Sequence, residues 1–164
     1  MSWVGLARLL PCFAVIGGQI NSLRRRLRES ETRFRSLTEM SSDFYWEQDK
    51  NFRITSMSAG VEQSVGIDSQ WHIGKTRWEV PGILLSEREW DADKAMLQAH
   101  QPFSDFTYGR LGAEGETRYL SISGQPIFDA QGKFTGYRGV GKDVTAAKIA
   151  EERIQYLAYH DSLT

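Results

Sequence analysis

The chain has 164 residues, enough for one domain with some additional segments. Hydrophobic residues make up 40% of it and charged residues 25%, which is ordinary for a globular protein and argues against general disorder. A net charge of −1 excludes the strongly basic class of nucleic-acid binders, so we expect no nucleic-acid partner. The single cysteine, Cys12, excludes an internal disulfide and fits a cytoplasmic, reducing compartment, and the three scattered histidines predict no metal site.

Residues 1–19 form an apolar segment that is interrupted by Arg8, Pro11 and glycines. A membrane-spanning helix needs about 20 apolar residues, so this segment is marginal for that role. Arginines at 24–26 and at 28 follow it, as they do on the cytoplasmic flank of a membrane anchor. Two interpretations stay open: an N-terminal appendage without a membrane role, or the remnant of an anchor that tethers the protein to the inner membrane.

Residues 20–41 are predicted to form an amphipathic helix of the coiled-coil type. Its apolar residues recur at spacings of 3, 4, 7 and 3, and they are Ile20, Leu23, Leu27, Phe34 and Leu37. These spacings match the a and d positions of a heptad, so we expect the five residues to form the seam of a homodimer. The alternative is a single amphipathic helix that packs back onto the domain.

From residue 43 onward the pattern indicates strands. Five strands are predicted, at residues 44–46, 52–55, 103–111, 117–128 and 133–144. The first two form a hairpin. Residues 58–79 predict short helical turns, and Ser86 with Glu89 is a capping box that begins a helix ending near residue 100. A closing helix from residue 146 carries a second apolar stripe of Ala147, Ala150, Ile154 and Leu157. The order predicts an α+β domain: a five-stranded antiparallel sheet with short helices on one face, flanked by N- and C-terminal amphipathic helices.

Five short motifs follow one another within the same region, and their order is informative. They are WEQD at 46–49, IGKT at 73–76, GQPIFD at 124–129, GKFTGYRG at 132–139 and DVT at 143–145. Together they resemble the PAS family of sensory domains with its PAC-type C-terminal strands, and the last matches the usual Asp-Ile-Thr with Val for Ile. The resemblance covers residues 42–145. It implies a PAS fold and a sensory or regulatory role.

The end of the chain carries a second resemblance. HDSLT at 160–164 is similar to the opening of GGDEF diguanylate cyclase domains, and residues 146–159 would then be the signalling helix that links the two domains. The resemblance implies that the chain controls a C-terminal cyclase of cyclic di-GMP signalling, which is its expected partner domain. Because the chain lacks the Gly-Gly-Asp-Glu-Phe motif, we expect no catalytic residues and no enzyme activity in it. The alternative is a PAS dimerisation spacer that binds no ligand and senses nothing.

An aromatic-rich interior is the candidate ligand site. The expected lining residues are Trp46, Trp78, Tyr108, Tyr119, Ser123, Tyr137 and Arg138, of which Arg138 could hold a carboxylate ligand. The alternative is a core filled by these aromatic rings. The glycines of residues 136–141 are interpreted as positions of close strand packing, and not as a phosphate loop. His72 and His100 are interpreted as isolated surface residues.

No bound cofactor is expected, although a non-covalent flavin or a small metabolite stays open. Haem-binding relatives place their ligand histidine where this chain has residues 77–79, Arg-Trp-Glu, so haem is not expected. Photoactive flavin relatives need a reactive cysteine, and residues 41–164 contain none.

Four residues are predicted to transfer the signal: Asp49, Asp143, Val144 and Thr145. Thr145 is predicted to cap the closing helix, and Asp143 to lie near its positive end. In the resembled family this aspartate pairs with a basic residue, which here is Arg53 or Lys142.

Overall fold

The computed structural model describes residues 10–41 and 43–161. The chain divides into two compact units, residues 1–38 and 39–164. The first holds most of helix α1 (Leu10–Ser41), which begins well before the predicted start at residue 20. Pro11 is compatible with the first turn of a helix, because the amide it lacks has no partner there. Within the described ranges, no helix combines the length and apolar character that crossing a membrane requires.

The second unit is built on one antiparallel sheet. Its strands are β1 (Phe44–Asp49), β2 (Ile54–Met57), β3 (Ile83–Leu84), β4 (Phe103–Leu111), β5 (Thr117–Phe128) and β6 (Phe134–Asp143). Their order across the sheet is β2-β1-β6-β5-β4-β3. The predicted α+β class is confirmed, but the sheet has six strands where the sequence predicted five. The additional strand, β3, is two residues long and pairs with β4 at its edge.

Short helical segments connect the strands. They are α2 (Gly60–Val65), 3₁₀ turns at Ser69–His72 and Arg77–Glu79, α3 (Glu87–Gln98) and the closing helix α4 (Thr145–Asp161). The predicted capping box of α3 is present: the Glu89 carboxylate accepts from the Ser86 amide at 2.8 Å, and the Ser86 hydroxyl accepts from the Glu89 amide. The cap satisfies amides that the first helical turn leaves free.

Two of the hairpin turns of the sheet, β1–β2 and β5–β6, share one construction. In the β1–β2 turn, Asp49 Oδ1 accepts hydrogen bonds from the amides of Asn51 and Arg53, at 2.8 and 3.0 Å. In the β5–β6 turn, Asp129 Oδ1 accepts from the amides two and four residues later, both at 2.9 Å. The side chain of an aspartate can thus replace a backbone acceptor in a tight turn. Asp49, predicted as a signal-transfer residue, therefore holds a turn.

The core lies where aromatic rings rest on glycines of β6. A Cβ atom on Gly139 would lie 2.5 Å from the ring of Trp46, and one on Gly141 would lie 2.1 Å from the ring of Phe44. Only glycine leaves room for these rings, so the glycines serve close packing, as the sequence indicated. Leu97 of α3, which is 0% exposed, completes this layer from the helical side.

Candidate functional site

A small cavity lies between the inward face of the sheet and the helical segments. Its volume is about 40 Å³, room for roughly three water molecules at ~10–15 Å³ each. Most of the lining is apolar and comes from Phe44, Trp46, Ile54, Met57, Val61, Val80, Ile83, Leu120 and Ile122. The remaining lining residues are polar, and they are Gln48, His72, Arg77, Tyr108 and Arg110. A mostly apolar lining with a few polar groups is the composition found in small-molecule sites.

Arg110 and His72 form the first polar pair of this cavity. Both are only 2% exposed. Arg110 Nη1 lies 3.1 Å from His72 Nε2, and His72 Nδ1 lies 3.2 Å from the carbonyl oxygen of Asp68. Because a carbonyl oxygen only accepts, Nδ1 carries the ring proton and Nε2 accepts from Arg110.

The other edge of the Arg110 guanidinium consists of its Nε and Nη2 atoms. Within the part of the chain that the structure describes, its buried Nε and Nη2 atoms make no hydrogen bond. These two nitrogens form the edge of the guanidinium that donates two parallel hydrogen bonds to one carboxylate. A buried donor without a partner is costly, and this edge supplies two of them. Among the described residues, the buried Oε1 acceptor of Gln48, another lining residue, also has no hydrogen-bond partner.

Arg77 and Asp93 form the second polar pair. Arg77 Nη1 donates to Asp93 Oδ1 at 2.7 Å, and the two side chains are 6% and 0% exposed. Arg77 belongs to the 3₁₀ turn at Arg77–Glu79, and Asp93 lies on the buried side of α3. The pair joins these two segments at the wall of the cavity, which Arg77 lines, and Asp93 compensates the charge of Arg77.

Burial dominates the ionisation of these groups. Loss of solvent, and then the charge of Arg110, lower the pKa of His72 below its ordinary value, so His72 is neutral at pH 7. Burial raises the pKa of Asp93, although Arg77 acts in the opposite direction. Burial also lowers the pKa of Arg110, but a guanidinium stays protonated at any physiological pH. Of the two arginines that line the cavity, Arg77 is paired with Asp93, whereas the charge of Arg110 is not balanced by neutral His72.

Two of the predicted pocket residues line the cavity, and two lie elsewhere in the core. Trp46 and Tyr108 are lining residues. Tyr137 is 0% exposed and its hydroxyl donates to the carbonyl oxygen of Gln101 at 2.9 Å, which ties β6 to the end of α3. Trp78 is half-buried, beside the ring of Phe52. Neither of these two residues lines the cavity.

The other three predicted pocket residues lie on the opposite face of the sheet. Along β5, Leu120 and Ile122 are 1% and 3% exposed, and they take the inward face. Tyr119 and Ser123 alternate with them and therefore face away from the cavity. Arg138 on β6 is exposed. Their assignment to the pocket is wrong because the apolar members of the alternation take the inward face.

The sequence interpretation of the histidines also needs correction. His72 is buried against Arg110, where a surface residue was expected. His100 is half-buried, and its ring stacks on that of Phe134 at 3.7 Å between centroids.

A bulge in β4 explains why Arg110 was missed. The register of β4 against β5 shifts between Phe103 and Phe106, and Asp105 has a φ of 53°. After the shift, Phe106, Tyr108 and Arg110 share the inward face with Phe103, although their positions differ in parity from its position. The one indication in the sequence is that Arg110 follows Phe106 and Tyr108 at intervals of two residues, which is the spacing of side chains on one face of a strand.

The end of β6 connects the sheet to α4 through a compact junction. The Asp143 carboxylate accepts from the backbone amide of Thr145 at 2.9 Å and from its hydroxyl at 2.5 Å. The carbonyl oxygen of Val144 accepts the first helical hydrogen bond, from Lys148 at 2.9 Å. Asp143 therefore caps α4, and the prediction that Thr145 does so is wrong.

The junction is also bonded to β5 and to the start of β1. The backbone of Tyr119 in β5 makes two hydrogen bonds to the junction. Its amide donates to the Thr145 hydroxyl and its carbonyl oxygen accepts from the Val144 amide, each at 2.9 Å. The Asp43 carboxylate accepts from the backbone amide of Asp143. The positions where the chain joins and leaves the sheet are therefore hydrogen-bonded to each other.

The basic partner of Asp143 is neither of the two expected residues. Arg118 Nη1 lies 3.7 Å from Asp143 Oδ2. The pairing of β5 with β6 brings Arg118 to this end of the sheet, near Asp143. Arg53 is elsewhere and bonds Glu79 at 2.7 Å, while Lys142 is exposed.

Apolar side chains remain exposed on both long helices. On α1, Ile20, Leu23 and Leu27 are 46%, 69% and 70% exposed. The side chains of Phe34 and Leu37, the other members of the predicted seam, lie outside the described residues. On α4, Ile154 and Leu157 of the second stripe are exposed as well.

The structure bears on flavin and haem, the two cofactors named above. The rings of Trp46 and Phe44 cover glycines of β6, and they would have to move for a flavin ring to lie against this part of the sheet. Haem would need an axial ligand, and the lining histidine, His72, has both ring nitrogens in hydrogen bonds. The described ranges also contain no cluster of acidic, histidine or cysteine side chains that could hold a metal ion.

Comparison with known proteins gives a consistent result. A family model described as PAS fold matches residues 38–149. An uncharacterized protein, y4lL, of Sinorhizobium fredii is 25% identical over 150 residues, which is 84% of this chain and 17% of that protein. The chain thus spans about a sixth of the length of this relative.

Solved structures show the same fold at low sequence identity. A sensory box histidine kinase/response regulator from Burkholderia thailandensis has a TM-score of 0.61 at 16% identity, over 79% of this chain and 98% of that one. The light state of the Aureochrome1 LOV photoreceptor has a TM-score of 0.57 at 17% identity, over 75% and 94%. An RNA-binding light-oxygen-voltage receptor has 0.64 at 14% identity, over 97% and 40%.

Proposed function

The chain belongs to the PAS family, and we propose that it is the sensory module of a larger signalling protein. In this proposal the cavity takes a small metabolite, and the junction at residues 143–145 transmits its occupancy to α4. The observation that carries the proposal is the Asp143 carboxylate, which caps α4 while its strand lies between β1 and β5. A displacement of the sheet then changes the start of α4 directly.

The proposed output is a C-terminal diguanylate cyclase. Its support is the HDSLT segment at 160–164, which resembles the opening of GGDEF domains. The module itself makes no cyclic di-GMP, because the Gly-Gly-Asp-Glu-Phe motif does not occur in its 164 residues. We propose that this regulation takes place in the cytoplasm.

The working form is proposed to be a homodimer, because cyclases of the resembled family need two subunits to complete an active site. On α1 the residues Ile20, Leu23 and Leu27 are exposed in the single chain, as are Ile154 and Leu157 on α4, and burying them against a second copy would stabilise the pair. A ligand that binds one arrangement of the dimer more tightly shifts the population toward it.

The test is the cyclic di-GMP output of the full-length protein carrying Asp143→Ala. Loss of a helix cap costs about 1 kcal/mol, so the domain stays folded, and we expect the output to change severalfold. The matched control is Lys142→Ala, which alters the neighbouring exposed residue and should leave output at the parental level. Parental output in Asp143→Ala together with a lowered melting temperature would show that the junction is only structural.

A further inference from the structure

We infer that the cavity binds a short-chain monocarboxylate, whose carboxylate pairs with the Nε and Nη2 edge of Arg110. The inference rests on the proposed sensory function, because it names the class of ligand that the cavity takes. It begins from the buried guanidinium edge that has no hydrogen-bond partner in the described residues.

The charge of the cavity selects an anion. Within the described residues the hydrogen-bond partner of Arg110 is His72, a neutral ring that accepts one hydrogen bond and supplies no negative charge. The nearby carboxylate of Asp93 is engaged by Arg77 at 2.7 Å. A ligand must therefore bring the balancing charge itself, and a buried charge is stable only when it is paired.

The geometry of the free edge selects a carboxylate. His72 occupies Nη1, so the nitrogens that remain are adjacent and donate in parallel. Two parallel donors match the two oxygens of one carboxylate, and charge-assisted pairs of this kind are roughly twice as strong as neutral hydrogen bonds.

The size and walls of the cavity restrict the rest of the ligand. A volume of about 40 Å³ admits about three water-sized groups, so the ligand resembles acetate or propionate in size. Side chains from several strands, including Ile54, Ile83 and Leu120, provide apolar walls that suit a short alkyl group. A second carboxylate would add a buried negative charge for which the described lining offers no unpaired cation, since Arg77 is already paired with Asp93, and this disfavours dicarboxylates.

The experiment titrates the purified chain with sodium propionate by calorimetry. Propionamide, of the same shape but neutral, and sodium chloride are titrated alongside. We expect saturable binding of propionate only. Arg110→Gln should weaken it about tenfold or more, as expected for the loss of a charged hydrogen-bond donor. The matched control is Arg138→Gln, which removes the same charge from an exposed position and should bind like the parent.

A second measurement does not depend on a variant that folds. In the parent, propionate should shift the NMR signal of the Arg110 Nε–H group, and propionamide should not. Equal binding of propionamide, binding of chloride alone, or no shift of this signal would overturn the inference. An Asp143→Ala variant that alters output while propionate fails to bind would overturn only the ligand class. Propionate binding with parental output in Asp143→Ala would contradict only the relay.

Discussion

Removing the Asp93 carboxylate should destabilise the domain strongly, because it leaves the charge of Arg77 buried and unpaired. Loss of one partner from a buried ion pair costs about 3–5 kcal/mol. The Arg77 guanidinium carbon also lies 5.8, 5.6 and 5.9 Å from the ring centroids of Trp46, Phe103 and Phe106, which retain part of its stabilisation. We therefore expect Asp93→Ala to cost about 3 kcal/mol, a large fraction of the roughly 5–15 kcal/mol typical of domains.

Urea denaturation at neutral pH, followed by circular dichroism, measures this cost. Asp91→Ala is the matched control, because Asp91 lies on the same helix and is exposed. The double variant Arg77→Met with Asp93→Leu removes both charges and should be more stable than Asp93→Ala. A cost below about 1 kcal/mol for Asp93→Ala, or a double variant no more stable than the single one, would refute the reasoning.

Three further predictions concern the dimer, the buried histidine and the aromatic core. Leu27→Lys puts a charge into the apolar stripe of α1, so sedimentation should show a dimer for the parent and a monomer for the variant. An unchanged dimer would place the seam elsewhere. Because burial lowers the pKa of His72, the unfolded chain binds a proton that the folded chain excludes, and stability should fall as the pH drops below about 6.5. Melts of His72→Gln should depend less on pH, and curves parallel to those of the parent would contradict this. Gly141→Val would clash with the Phe44 ring, 2.1 Å from the added Cβ, and should cost about 1–3 kcal/mol; an unchanged urea midpoint would disprove the close packing.

The architecture was largely predictable because strong local signals mark its boundaries. The bounds of β4 and β5 agree with those predicted, since both strands are long and end at polar, glycine-containing turns. β3 was not predictable, because two residues are too few to display a strand period and their pairing depends on the edge of β4. The early start of α1 was missed because the heptad pattern marks a surface stripe and not the end of a helix.

The candidate site was much less predictable than the fold. Tyr119 and Ser123 of β5 do not lie in the predicted pocket, because the hydrophobic effect directs Leu120 and Ile122 inward. Arg110 and His72 meet only after the β4 bulge and a 3₁₀ turn have oriented them, and they lie 38 positions apart. A contact between residues so far apart along the chain produces no periodic pattern in a single sequence. Arg118 was missed as the partner of Asp143 for the same reason.

The central claim is that occupancy of the cavity reaches α4 through the junction at residues 143–145. Amide hydrogen exchange of the purified chain, with and without propionate, tests it most directly. The account predicts that propionate changes the exchange of the Val144, Thr145 and Lys148 amides, which hold the junction together, by about threefold or more. Arg110→Gln should abolish this change. Exchange that changes only around the cavity in the parent, while these three amides stay as they were, would contradict the account.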